Sequence, residues 1–289
     1  MSVDPAVLAP QTLAGQHVLV TGGGTGLGRA MAERCGALGA SVTVCGRRTE
    51  PLEETSSAIR DAGGAAQGIS CDIRDPESIA SMFDQAEADQ GPITALVNNA
   101  AGNFLSPTES ISPNGFDAIV KTNLYGTFYC TQEAGKRWIK AGNGGAIVSI
   151  STTYAETGSA FVVPSAVSKA GIVALTKSLA AEWGHHGIRL VAVAPGPFPT
   201  DGAWSRLVPQ EMQDNVRRRV PLGRTGDPAE LAELVAFLLS PGGAFISGEH
   251  LVIDGGEVPF MAGMMNDFLR IPPEQAQALF SKLRQASKG

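Results

Sequence analysis

The chain has 289 residues, 43% of them hydrophobic, with a formal net charge of -6 and a sequence pI near 5.3. That length and apolar content can bury a substantial core, and the acidic balance argues against nucleic acid as the main partner. No apolar run reaches the roughly 18 residues of a membrane span, so no membrane partner is expected. Taken in order, His17-Val18-Leu19-Val20 reads as a short buried strand feeding a glycine-rich turn and a helix from about Leu27 to Leu38. Ser41-Val42-Thr43-Val44-Cys45, short and β-branched, is a second strand. Helix-period segments recur at about 51–62, 76–90, 113–139, 166–183 and 227–239, with strands expected near 66–71, 94–98, 146–150, 188–194 and 249–253. Strict alternation of this kind predicts a single α/β domain over residues 1–289, a Rossmann-like, doubly wound, mostly parallel sheet with helices on both faces. Ligands are then expected at the carboxyl ends of the strands.

Residues 257–289 differ in character and are expected to form a C-terminal extension. Phe260-Met261-Ala262-Gly263-Met264-Met265 is apolar and irregular, and Pro272-Pro273-Glu274 would start a terminal helix with Leu279, Phe280 and Leu283 on one face. Two roles are open for it, an edge-packing tail or a flap over a substrate site with methionines as adaptable lining. Cys35, Cys45, Cys71 and Cys130 stand singly in apolar stretches, which predicts buried thiols in a reducing compartment rather than a metal site or a disulfide framework. The four histidines, His17, His185, His186 and His250, lack metal-ligand spacing, so no metal is expected. With no basic residue in the first fifteen and an ending, Ser287-Lys288-Gly289, unlike a peroxisomal signal, a cytoplasmic location is expected.

Thr21-Gly22-Gly23-Gly24-Thr25-Gly26-Leu27-Gly28 follows a strand and opens a helix. In that context glycines at 22, 26 and 28 allow a tight turn and a close approach to a pyrophosphate, whose charge would sit at the helix N-terminus. Where an NAD enzyme would place a carboxylate after the second strand, this chain has Gly46-Arg47-Arg48. Two guanidiniums suit a 2'-phosphate, so NADP(H) is expected over NAD(H). Asp72 and Ile73 close the third strand near the place for adenine, and Asn98-Asn99-Ala100-Ala101-Gly102 closes the fourth with small residues that let the chain pass close to a cofactor. Pro195-Gly196-Pro197-Phe198-Pro199-Thr200 forms a rigid loop at the expected nicotinamide end.

Together these motifs resemble the short-chain dehydrogenase/reductase family over roughly residues 14 to 256. Asn98-Asn99-Ala100-Ala101-Gly102-Asn103-Phe104, Tyr154-Ala155-Glu156-Thr157-Gly158-Ser159, Val162-Val163-Pro164-Ser165-Ala166 and the tail look more specifically like NADPH-dependent 2,4-dienoyl-CoA reductases of the mitochondrial type. Carbonyl-reducing members of the family carry a tyrosine four residues before the lysine, where Ser165 precedes Lys169, and a serine or threonine at the place of Thr152. The dienoyl-CoA reductases resemble this chain instead, with a tyrosine at the separation of Tyr154 from Lys169 and a serine at the place of Ser165.

The resemblance implies Tyr154 as donor to a thioester oxygen, supported by Ser165, with Lys169 holding the nicotinamide ribose and Asn123 supporting Lys169 and a water. The two-residue offset from Thr152 to Tyr154 predicts that both side chains leave an extended segment on one side. Phe104, Tyr125, Arg74 and Arg206 are the implied acyl-CoA contacts, Tyr125 standing where those enzymes are read to carry a substrate-binding asparagine. The implied activity is reduction of a 2,4-dienoyl-CoA to a 3-enoyl-CoA in unsaturated fatty acid breakdown, by a homotetramer. The alternatives left open are a 3-oxoacyl or other carbonyl reductase and a non-catalytic NADP-binding protein.

Overall fold

The chain supplies seven strands, β1 His17–Thr21, β2 Ser41–Gly46, β3 Ala65–Ser70, β4 Ala95–Asn98, β5 Gly145–Ile150, β6 Ile188–Pro195 and β7 His250–Ile253, of which β3 and β7 are partly exposed and the others are largely apolar and buried on both faces. In a computed structural model that describes residues 7–200 and 209–286, they form one sheet in the order β3-β2-β1-β4-β5-β6-β7. Every neighbouring pair is parallel. The chain winds outward from β1 in one direction, then restarts at β4 in the other, leaving the switch-point crevice at the carboxyl ends of β1 and β4.

Side chains alternate across this sheet and separate two cores. Val18 and Val20 of β1 join Val42, Val97 and Val193 on one face, under α1 (Gly26–Ala37), α2 (Thr49–Asp61) and the helix Pro228–Leu239. Leu19 lies on the opposite face with Leu96, Ile147, Phe83, Cys130 and Trp138, under α3 (Pro76–Gln90) and α5 (Gly126–Ala141). All four cysteines are buried free thiols. Buried apolar side chains contribute about 1.5–3 kcal/mol each, so these two layers dominate the stabilisation of the sheet.

The segment expected as one helix over 113–139 is divided. α4 (Pro113–Val120) passes through a π-helical turn, Lys121–Tyr125, before α5. The widened turn re-aims the residues it contains, which is a common reason for such turns near functional sites. Past a short helix α6 (Tyr154–Thr157), the long helix α7 (Val163–Trp183) starts earlier than its periodicity predicts, with Pro164 in its first turn. The C-terminal segment forms the helices Glu257–Ala262 and Pro273–Ala286. Met261, Met264, Met265 and Leu269 are exposed, and Phe268 packs edge-on against Phe280 at 5.3 Å. Among the described residues no helix is long and apolar enough to cross a membrane.

Helix Pro228–Leu239 spans the first core and depends on its start. Asp227 Oδ1 accepts from Ala229 N at 2.9 Å, and Glu230 Oε2 accepts from Asp227 N at 2.9 Å, a reciprocal capping box with proline at the first helical position. Asp227→Ala should therefore lower the unfolding free energy by about 1 kcal/mol, read from the midpoint of a urea titration with unchanged slope.

Candidate active site

The loop after β1 is shaped by close backbone approach. A Cβ on Gly28 would lie 2.3 Å from the Gly22 carbonyl oxygen and 2.5 Å from Asn99 Nδ2, and one on Gly22 would lie 2.9 Å from Ala100 Cα. Gly22 also has φ of 64°. Neither position tolerates a side chain. Gly22 N donates to Cys45 O at 2.7 Å, which fastens the loop to β2. Thr21 Oγ1 accepts from Asn99 N at 3.0 Å and from Ala100 N at 3.1 Å, while Asn99 Nδ2 donates to the Thr21 and Gly22 carbonyls at 3.0 and 3.2 Å. The ends of β1 and β4 are thus laced into one cradle. α1 begins there with no side-chain cap from Thr25 and no acidic residue in its first turn, while Leu27 packs back on the core. Its first N–H groups are left to an anion. The cradle fits the pyrophosphate of a nicotinamide dinucleotide.

Arg47 and Arg48 are exposed at the end of β2, outside any ion pair among the described residues. Asp72 and Arg74, expected to serve cofactor and substrate separately, pair with each other: Arg74 Nη2 meets Asp72 Oδ2 at 2.5 Å and Nε meets Oδ1 at 2.9 Å. The Arg74 hydrogen bond holds the Asp72 carboxyl below its usual range, with Arg47 adding to the effect. Ile73 is buried against Gly126, where an added Cβ would lie 2.5 Å from its Cδ1. At the end of β6, Pro195 leads into Gly196, whose N–H donates to Ile253 O at 2.9 Å, and Phe198 is buried over Gly226.

The reacting side chains gather at the carboxyl end of β5. Tyr154 Oη lies 3.2 Å from Ser165 Oγ, and Asn103 Nδ2 donates to the same phenol oxygen at 3.3 Å. Ser165 and Lys169 are one turn apart on α7 and share its buried face. Lys169 Nζ donates to Ile150 O, the last carbonyl of β5, at 2.5 Å. Among the described residues no carboxylate pairs with it, and burial pulls its pKa down from the ordinary 10.5 to about 8.

The extended segment expected at Thr152–Tyr154 is corrected. Tyr154 opens α6, a single helical turn begun at Thr153 with φ of -58° and closed by Gly158 at φ of 70°. The phenol reaches Ser165 because that turn sits against the start of α7. The Asn123 side-chain amide hydrogen-bonds to Gly102 rather than to Lys169. Its Oδ1 accepts from Gly102 N at 2.7 Å and its Nδ2 donates to Gly102 O at 3.0 Å, clamping the residue next to Asn103.

Tyr125 is 46% exposed and pairs with Tyr129, ring centroids 6.2 Å apart, outside the phenol cluster. The asparagine amide that does reach the phenol is that of Asn103, which sequence reasoning passed over. Its signal lay in the Asn-Phe pair ending the β4 loop, but only the fold brings residue 103 to residue 154. Phe104 is half-buried against α4, near Gly115, and Ser106 N donates to Phe161 O at 2.9 Å, joining the two loops beside the phenol. Leu105 and Phe161 are exposed at this junction, Phe161 with φ of 66°. Arg206 lies outside the described residues.

The chain is similar to known proteins over most of its length. The profile of the family described as "Enoyl-(Acyl carrier protein) reductase" matches residues 22–257. The chain is 45% identical to "Probable 2,4-dienoyl-CoA reductase 3 [(3E)-enoyl-CoA-producing]" of Caenorhabditis elegans, covering 91% of this chain and 87% of that protein. It is 42% identical to "Probable 2,4-dienoyl-CoA reductase [(2E)-enoyl-CoA-producing]" of Bacillus subtilis (strain 168), over 83% of this chain and 95% of that protein. A crystal structure of a short chain dehydrogenase from Bacillus anthracis superposes with a TM-score of 0.81 at 40% identity, covering 85% of this chain and 98% of the other.

The buried lysine makes stability depend on pH. Between about 8 and 10.5 the unfolded chain still binds the Lys169 proton that the folded, cofactor-free protein has released, so stability rises with pH across that window. Lys169→Met should lack this rise, a difference of up to ~3 kcal/mol, measured by urea unfolding of the two proteins at pH values spanning the window.

Proposed function

The chain belongs to the short-chain dehydrogenase/reductase family and is an oxidoreductase, and on that premise we propose that it reduces 2,4-dienoyl-CoA thioesters to 3-enoyl-CoA with NADPH. The observation that carries the reading is the phenol of Tyr154, relocated from the position four residues before Lys169 and bonded to both Ser165 and Asn103. The nicotinamide cofactor would supply a hydride to the δ carbon of the conjugated thioester. Negative charge then collects on the thioester oxygen as a dienolate, and the chain's task is to hold it there.

Asn103 Nδ2 donates to the Tyr154 phenol oxygen, and a substrate oxygen entering between the two would take a hydrogen bond from each, the arrangement that stabilises an oxyanion. Ser165 orients the phenol. Lys169, desolvated and without a carboxylate, keeps positive charge beneath the site and is free to hold a ribose hydroxyl. Asn123 fixes Gly102 and so the loop that presents Asn103. Protonation of the dienolate at the α carbon by water gives the 3-enoyl product, whereas protonation at the γ carbon gives the 2-enoyl product named for the Bacillus subtilis relative. Leu105, Phe104 and Phe161 offer apolar surface for the acyl chain.

Arg47 and Arg48 are the proposed partners of a cofactor 2'-phosphate, being exposed guanidiniums where a carboxylate would select NAD(H). Gly22, Thr25, Gly26, Leu27, Gly28, Asp72, Ile73, Asn99, Ala100, Pro195, Gly196 and Phe198 complete the cofactor site in this reading. Arg74 is proposed to turn from Asp72 toward the phosphates of coenzyme A, and the segment after Gly256 to border the substrate entrance. A homotetramer is proposed through α5 with the turn before it and α7, where Tyr125, Phe128 and Val167 are exposed apolar residues.

The test is NADPH consumption with 2,4-hexadienoyl-CoA beside acetoacetyl-CoA, with the product double bond placed by NMR. The dienoyl thioester alone should turn over, and Tyr154→Phe should lose on the order of 100-fold or more in kcat. Turnover of the ketone alone would make this a carbonyl reductase with a moved acid, and silence on both would sink the reductase reading. In the same assay Arg47→Ala should raise the KM for NADPH by about 10-fold and leave that for NADH unchanged; equal effects on both cofactors would refute the 2'-phosphate assignment.

A further inference from the structure

His250 opens β7, the edge strand, paired in register with Ala192 of β6. Its side chain is only 3% exposed, yet its Nε2 has no hydrogen-bond partner among the described residues, while Nδ1 lies 2.8 Å from Glu156 Oε1. An imidazole buried with one nitrogen orphaned is a poor choice for stability, since leucine or valine would fill the same place without an unmet polar atom. What the imidazole gains there is the bond to Glu156, and Glu156 belongs to α6, the helical turn that carries Tyr154.

That turn has little to hold it. It comprises four residues, it has no side-chain N-cap, and a single helical turn has no persistence of its own. Tyr154 and Glu156 are two residues apart, about 200° around the helix, so they leave the turn on opposite sides. One side is held by the phenol bonds to Ser165 and Asn103, the other by the carboxylate bond to His250. When a substrate oxygen takes the place of Ser165 or Asn103 at the phenol, the first tether is given up. The second then remains to keep the turn from rotating about its axis. The His250 hydrogen bond holds the Glu156 carboxyl below its usual range, and Lys177 of α7 adds a smaller favourable charge.

We propose that His250 is a positioning residue for the reaction, fastening the Tyr154 turn to the edge strand through Glu156. The proposal rests on the reading of Tyr154 as the hydrogen-bond donor to the substrate. His250→Leu should stay folded, with a thermal midpoint equal to or above that of the wild type, and should lose about 10-fold or more in kcat while the KM for NADPH is unchanged. Glu156→Ala, at a side chain 60% exposed and so safe for the fold, should do the same, and His250→Asn, which restores a donor near the place of Nδ1, should recover most of the loss.

A second measurement does not depend on the substrate. The chain has three tyrosines, so tyrosine labelled with carbon-13 at Cζ gives three resonances, and Tyr154→Phe identifies one of them. In His250→Leu and Glu156→Ala the Tyr154 resonance should shift or split while those of Tyr125 and Tyr129 hold, with His250→Asn returning it. Wild-type kcat in both tether variants, or an unmoved Tyr154 resonance in both, overturns the proposal. If no acyl-CoA is turned over the reductase reading fails by itself, and the resonance still decides whether His250 holds the turn.

Discussion

Lys169 reaches from the first turns of α7 to the last carbonyl of β5, and its ammonium is enclosed there, among the described residues, with one backbone oxygen and no carboxylate. A cation in that position is costly, and its pKa falls accordingly. The cost is tolerated only because the sheet and helix that enclose it are rigid. β5 is bonded on both sides, to β4 and β6, and α7 packs along β6 and the widened turn before α5. The rest of the site is built outward from this point. Ser165 is one turn before the lysine on the same helix face, Tyr154 bonds to Ser165, and Asn103 bonds to Tyr154.

The position of the phenol follows from a second constraint, the packing of a single helical turn between two loops. Tyr154 is fifteen residues before Lys169 in the chain but beside Ser165 in space, because α6 folds back against the start of α7. The Gly102–Phe104 loop arrives from β4 at the same place, held by the Asn123 amide in the π-helical turn. An α-helical path through Lys121–Tyr125 would aim that amide elsewhere, so the local irregularity and the location of Asn103 belong together. Three segments far apart in sequence thus converge at the carboxyl end of the central strands, where the reversal of strand order opens the crevice.

The two ends of the crevice differ in how they are specified. At the pyrophosphate end the requirement is the absence of side chains: Gly22 and Gly28 leave room for Asn99, Ala100 and each other's backbone. Such a requirement is written in residue identity and is legible in one sequence. At the reacting end the requirement is a set of side-chain distances, which no spacing rule contains. Tyr125 illustrates this: it lies at the end of a π-helical turn and packs beside Tyr129, a placement that helical periodicity does not contain. Arg74 and Asp72 were read as serving two ligands, and their mutual ion pair became visible only with their atoms placed.

By itself the sequence determined the order and kind of nearly every element, because apolar runs four to eight residues long, alternating with 3.6-period helices, have few packings other than a parallel sheet covered on both faces. It likewise determined the glycine cradle and the four buried thiols, since each follows from a residue's size or polarity. Only the tertiary structure decided that Tyr154 lies on a helical turn, that Asn103 shares its phenol, that Asn123 clamps Gly102 and that His250 meets Glu156 across 94 positions of chain. Those contacts are set by where loops end once the sheet has formed, and hydrogen-bond partners so distant in sequence leave no periodic trace in either segment.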